Sequence, residues 1–136
     1  MIPALIFAIS LAALIQFFVS YCRSLVAASS RVDLSLEARE LTGIRHRSAY
    51  AEEFPRFMLL VGLCPERGDD RFAVRAIRGY YHLLSVVRAA LRRMVPSVAE
   101  WADTERNACA YFAAVALDRR IAYSRDLMAQ QMSNSI

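Results

Sequence analysis

Two histidines, three cysteines and two pairs of adjacent acids are the side chains in this sequence whose types suit metal binding or catalysis. A carboxylate-bridged di-iron site in a helical bundle needs Glu-x-x-His pairs projecting inward. Here His46 sits between Arg45 and Arg47, and His82 follows Arg78 by one helical turn. Neither histidine has a Glu three positions earlier, and both contexts repel a cation. They read as solvated or interface residues.

Cys22, Cys64 and Cys109 are odd in number, widely spaced and free of any C-x-x-C pair. That pattern suits neither a disulfide framework nor a zinc site, and fits a reducing compartment. Cys22 is placed for acylation beside a membrane, but the reading adopted for it is a free structural thiol. Glu52-Glu53 and Asp69-Asp70 point about 100° apart on a helix, which suits helix starts better than a shared proton. The four glycines are scattered, so no phosphate-cradling loop exists. The expectation is a non-enzyme with no catalytic residue, cofactor or metal.

Arginine is the one charged signal above background. All 17 basic residues are Arg, which points first to codon bias in a GC-rich bacterial genome. The net charge is only +4, yet residues 71 to 99 carry six Arg and no acid. Within them Ala73, Ile77, Tyr80, Leu84, Val87, Leu91 and Met94 alternate steps of four and three, an apolar seam on one helix face. Arg71, Arg75, Arg78, His82 and Arg92 keep the same rhythm two positions earlier, about 200° around the helix. The helix therefore buries one face and offers a basic stripe on the other. The arginine fork matches carboxylate or phosphate, so the candidate partners are an acidic protein face or anionic lipid headgroups. Nucleic acid is disfavoured because stacking aromatics do not interleave the stripe, Tyr81 excepted.

What must position this helix begins at the N-terminus. MIPALIFAISLAALIQFFVSYC runs 22 residues without a charge, and eleven of them are Ile, Leu, Phe or Val. A helix of that length crosses a hydrocarbon core of about 30 Å, and those eleven favour insertion by roughly 3–6 kcal/mol. No basic n-region precedes the run, and bulky Tyr21 spoils a lipoprotein cut at Cys22, so an uncleaved anchor is expected over residues 1–30. Arg23, Arg31 and Arg39 follow the span and none precedes it, which sets the N-terminus outside and the rest in the cytoplasm of a bacterial inner membrane. Phe17, Phe18 and Tyr21 fit an aromatic belt at that interface. Ala4, Ala8, Ala12 and Gln16 recur every four residues, with Ser20 and Ser24 continuing the line. Such a ridge lets a second membrane helix approach closely and offers one amide for a hydrogen bond.

The remaining 106 residues make one small all-α domain. Residues 31–48 are read as a short amphipathic helix over Leu34 to Leu41, capped by Asp33 or Ser35 and stopped by Gly43, then a connector. Residues 49–136 are read as a bundle: a helix from about 49 to 63 with Ser48 as cap or Pro55 as its true start, then a long antiparallel hairpin of about 70–95 and 98–128. Asp69 and Asp70 open its first arm. Pro96 and a Ser97-Val98-Ala99-Glu100 capping box open the second, whose NACAYFAAVAL centre is apolar all round. The expected role is an accessory or scaffolding subunit of a membrane complex. It docks through the alanine ridge and, in the cytoplasm, through the stripe or the apolar last helix. The alternative is a membrane-tethered binder of anionic lipid or an acidic ligand.

Overall fold

A computed structural model describes residues 1–43 and 51–136. Arg45, His46, Arg47 and Ser48, read as a basic connector and a helix cap, lie outside the described residues. The protein is all-α: a long apolar N-terminal helix followed by a helical bundle, with no strand among the described residues. In chain order the elements are α1 (Ile2–Ser29), α2 (Leu36–Thr42), a 3-10 turn at Ala51–Glu53, α3 (Phe54–Leu63), α4 (Arg71–Leu91) and α5 (Pro96–Asn134).

Helix α1 is long and apolar enough to cross a membrane, and every residue from Met1 to Phe17 is exposed. Only its last turns enter the bundle. Cys22, Val26 and Ser29 are buried, and Phe18, Val19 and Leu25 pack against the core. Large aliphatic side chains left in solution over more than four turns have no stable place in water, so this part of the helix needs another solvent or another surface.

The short helix α2 cannot hold itself together, and it is held by α5. Ser35 caps it by accepting from the Ala38 amide, while its own hydroxyl and amide donate to the Asp118 carboxylate at 2.7 and 3.1 Å. Glu37 pairs with Arg125, two turns farther along α5. Gly43 ends α2 at φ 72°, a left-handed conformation that costs glycine nothing. These contacts place α2 against the bundle.

Several local readings are corrected. The helix expected from about 49 is a 3-10 turn, and α3 proper starts around Pro55, whose missing N–H is harmless in a first turn. Helix α4 stops at Leu91, short of the expected Val95, so Arg92 caps its end and Met94 falls in the turn. Helix α5 starts at Pro96 with no side-chain cap, so Ser97 lies inside the first turn and the capping box does not form. It also runs on past Met128 to Asn134.

The bundle is built around α5. Cys109 through Leu117 are all buried, which places the alanine-rich segment at the centre, flanked by Phe57, Val61, Ile77, Tyr80 and Leu84 from α3 and α4. A segment buried on every side has no face to offer, so the apolar centre of the last helix is not a docking surface. Alanine predominates there because helices on several sides must approach its backbone at once.

Candidate functional site

The sequence-level signals resolve into two surfaces that the bundle leaves open. The first is the ridge of α1. Phe18 lies 3.7 Å from where a Cβ would stand on Gly79, and the Cys22 thiol donates to the Ala76 carbonyl at 3.7 Å, so this face of α1 seats on α4. Gln16, Ser20 and Ser24 each precede Phe18, Cys22 and Val26 by two positions, about 200° around the helix. The polar end of the ridge therefore faces away from the bundle. It borders an open groove of about 580 Å³ with Arg23 and Ala27. Ala4, Ala8 and Ala12 are fully outside the bundle as well. Of the interface aromatics, Phe17 is free, Phe18 is half-buried on α4, and Tyr21 leans on Phe72 with ring centroids 5.9 Å apart.

Where α1 enters, the first charge after the apolar run meets a carboxylate: Arg23 Nε lies 3.8 Å from Glu105. The buried Tyr80 hydroxyl donates to the same carboxylate at 3.0 Å. Burial, and then the Glu105 charge, push the Tyr80 phenol up from its ordinary pKa. The same two causes raise the Cys109 thiol, one turn beyond Glu105. Both groups stay protonated and neutral at physiological pH, and the cluster ties the last turns of α1 to α4 and α5.

The second surface joins part of the arginine stripe to an apolar groove between α3 and α4. Phe54 and Tyr81 stack at 4.0 Å with 17° between their planes, and Met58 completes the floor of a cleft of about 560 Å³. Leu59 and Leu63, one turn apart on α3, form one wall and are 67% and 76% exposed. Arg78 and His82 of the stripe form the other. The floor is held firmly. Tyr81 donates to the Ala51 carbonyl at 2.9 Å and accepts from Arg106 at 3.1 Å, and Arg106 is in turn held by Asp103.

The stripe itself is exposed throughout: Arg71, Arg75, Arg78, His82 and Arg92 all face solvent. Arg71 reaches Glu66 at 3.6 Å, whereas Arg75, Arg78 and Arg92 make no ion pair with another described residue. Opposed to them, Ile77, Tyr80 and Leu84 of the seam are buried, and the seam runs out at Met94, which is 79% exposed.

Sequence reasoning missed the groove and the Arg23–Glu105–Tyr80 cluster. Exposed Leu59 and Leu63 at helical spacing were the available signal for the groove, but they look the same as core leucines until a neighbour is placed. Among the described residues no group of three or more His, Cys, Asp or Glu is arranged to hold a metal ion. The groove offers apolar side chains on its floor and one wall, with Arg78 and His82 on the other.

No family model matches this chain, and no curated protein or solved structure matches it.

Proposed function

We propose that this chain is a non-catalytic accessory or scaffolding subunit of a membrane-embedded complex. It is single-pass in a bacterial inner membrane, with its N-terminus outside and its bundle in the cytoplasm. The observation that carries this reading is the division of α1. One face of its last turns is committed to α4 and α5, while its small-residue ridge and its apolar length from Met1 to Phe17 stay open. Lipid satisfies the large apolar side chains, and the ridge of Ala4, Ala8, Ala12 and Gln16 receives a partner's membrane helix by close backbone packing.

In the cytoplasm the α3–α4 groove gives the same partner a second hold. Leu59 and Leu63 on one wall and Arg75, Arg78 and His82 beside the other suit an amphipathic helix whose apolar face enters the cleft and whose acids meet the arginines. The subunit then links a partner's membrane helix to its cytoplasmic part.

The test is purification of the full chain from its native membranes in mild detergent, sized on a native gel and identified by mass spectrometry. A stoichiometric partner that is retained by the natural chain and lost from an Ala8→Leu/Ala12→Leu variant supports the subunit. A chain that runs alone overturns it.

The unpaired state of Arg75, Arg78 and Arg92 favours a second reading, a membrane-tethered binder of anionic lipid or an acidic ligand. Salt separates the two. Binding through exposed arginines alone is lost as ionic strength rises, whereas docking keeps the part carried by the apolar groove and the ridge.

A further inference from the structure

We propose that the α4–α5 turn is a second membrane contact, seated on an anionic lipid surface beside the point where α1 leaves the bilayer. This rests on the reading that α1 spans the membrane. As the chain leaves the span, its contacts climb α5 in order: Arg23 meets Glu105, the Val32 carbonyl accepts from Tyr111, Ser35 meets Asp118 and Glu37 meets Arg125. Followed back from Glu105 to Pro96, α5 therefore returns toward the bilayer. Helix α4 gives the same direction independently, since Cys22 touches Ala76 while Phe18, four residues nearer the span's centre, touches Gly79.

Arg23 is the first charge after the apolar run, so Glu105 lies at the level of the interface. Pro96 comes nine residues earlier in α5, up to about 13 Å farther toward the lipid at ~1.5 Å per residue. The headgroup layer on one side of a bilayer is only about 5–8 Å thick. A turn carried in that direction lies within its reach.

The residues found there suit that position. Met94, Val95 and Trp101 are 79%, 39% and 38% exposed, an indole and two aliphatic side chains that each present part of their surface to solvent. Arg92 and Arg93 are exposed beside them and make no ion pair with another described residue, and the one acid between Arg92 and Trp101 is Glu100. Trp at the headgroup level with flanking Arg is the usual composition of an interfacial anchor, and each arginine near an anionic surface strengthens the contact. The backbone is prepared too. The Met94 and Val95 amides both donate to the Leu91 carbonyl, at 3.1 and 2.8 Å, and Pro96 has no N–H to leave unpaired.

Trp101 is the only tryptophan in the chain, so intrinsic fluorescence reads this turn alone. The full chain is reconstituted in nanodiscs of phosphatidylcholine and phosphatidylglycerol carrying bromine near the top of the acyl chains. Expected is a loss of about half the Trp101 emission, with weak quenching by aqueous iodide, as for an indole at the interface. In parallel, a Trp101→Phe/Leu14→Trp variant reports on the span through lipids brominated near the chain ends. Quenching of that variant together with an unquenched, iodide-accessible Trp101 overturns the turn contact and leaves the span intact. No quenching in either protein overturns the spanning reading and the turn contact with it. An Arg92→Glu/Arg93→Glu variant should lose most of the Trp101 quenching in anionic discs; unchanged quenching overturns the anionic character of the contact.

Discussion

Arg120 of α5 grips Asp70 at the head of α4 with two parallel bonds, Nε to Oδ2 at 3.2 Å and Nη2 to Oδ1 at 3.1 Å. Its remaining arm donates to the Val61 carbonyl near the end of α3 at 2.9 Å. Three helices are thus tied by one side chain that is 4% exposed, against a carboxylate that is 12% exposed. Asp70 looks like a helix cap in the sequence, but its side chain is turned inward to the guanidinium and makes no cap bond.

Breaking that pair from one side leaves a buried charge without its partner, which costs about 3–5 kcal/mol. Arg120→Met and Asp70→Asn should each lower the unfolding midpoint strongly in denaturant titrations of the detergent-solubilised protein followed by circular dichroism. The Asp70→Leu/Arg120→Met double variant should lose much less than the sum of the two. Additive losses would mean that the pair is not coupled.

Stability should fall at alkaline pH. Cys109 and Tyr80 have folded pKa values raised above the ordinary 9.0 and 10.0. The unfolded chain therefore sheds these protons first, and the folded state binds more of them. The stabilisation is complete below about pH 9 and is lost as pH rises toward the folded values, with a slope for one thiol of up to about 1.4 kcal/mol per pH unit. Melting curves between neutral and strongly alkaline pH should show this decline. Cys109→Ala should lower the neutral plateau and flatten the slope, and an unchanged slope would remove Cys109 as its source.

The ridge and the bundle should be separable. Ala8→Leu and Ala12→Leu add bulk outside the bundle, so bundle stability should change by no more than about 0.5 kcal/mol. Partner association in mild detergent should nevertheless be lost, because a leucine holds apart two helices that pack through small residues. Native-gel mass and denaturant midpoint, read on the same preparations, check both halves of this expectation.

The groove should respond to charge and to polarity by different routes. Leu63→Glu places an acid on a wall that is already exposed, with little effect on folding, and should release a cytoplasmic partner at every salt concentration. Arg75→Glu/Arg78→Glu should weaken the same contact most at low ionic strength, where unscreened charges act farthest. If the double reversal leaves both partner and lipid binding intact, the stripe is a solvated face and no more.

Sequence alone determined the class and the outline. The uncharged run before Arg23, the seam from Ala73 to Leu91, and the punctuation by Gly43, Pro55 and Pro96 follow from local rules, because periodicity and turn chemistry act within a few residues. Those rules also place the stripe opposite the seam, and Arg71, Arg75, Arg78 and Arg92 are all exposed. Tertiary structure alone decided what needed partners from far along the chain: that Asp70 serves Arg120 instead of capping α4, that Ser35 and Asp118 hold α2 on the bundle, and that the NACAYFAAVAL segment is core and not a docking face. It also brought Leu59 and Leu63 beside Arg78 to make a groove, and set Glu105 of α5 against Arg23 in the last turns of α1. A residue's type fixes which bonds it is able to make, but the choice among competing partners goes to the one whose absence would leave a buried charge or an open cavity, and that is known only once the helices are packed.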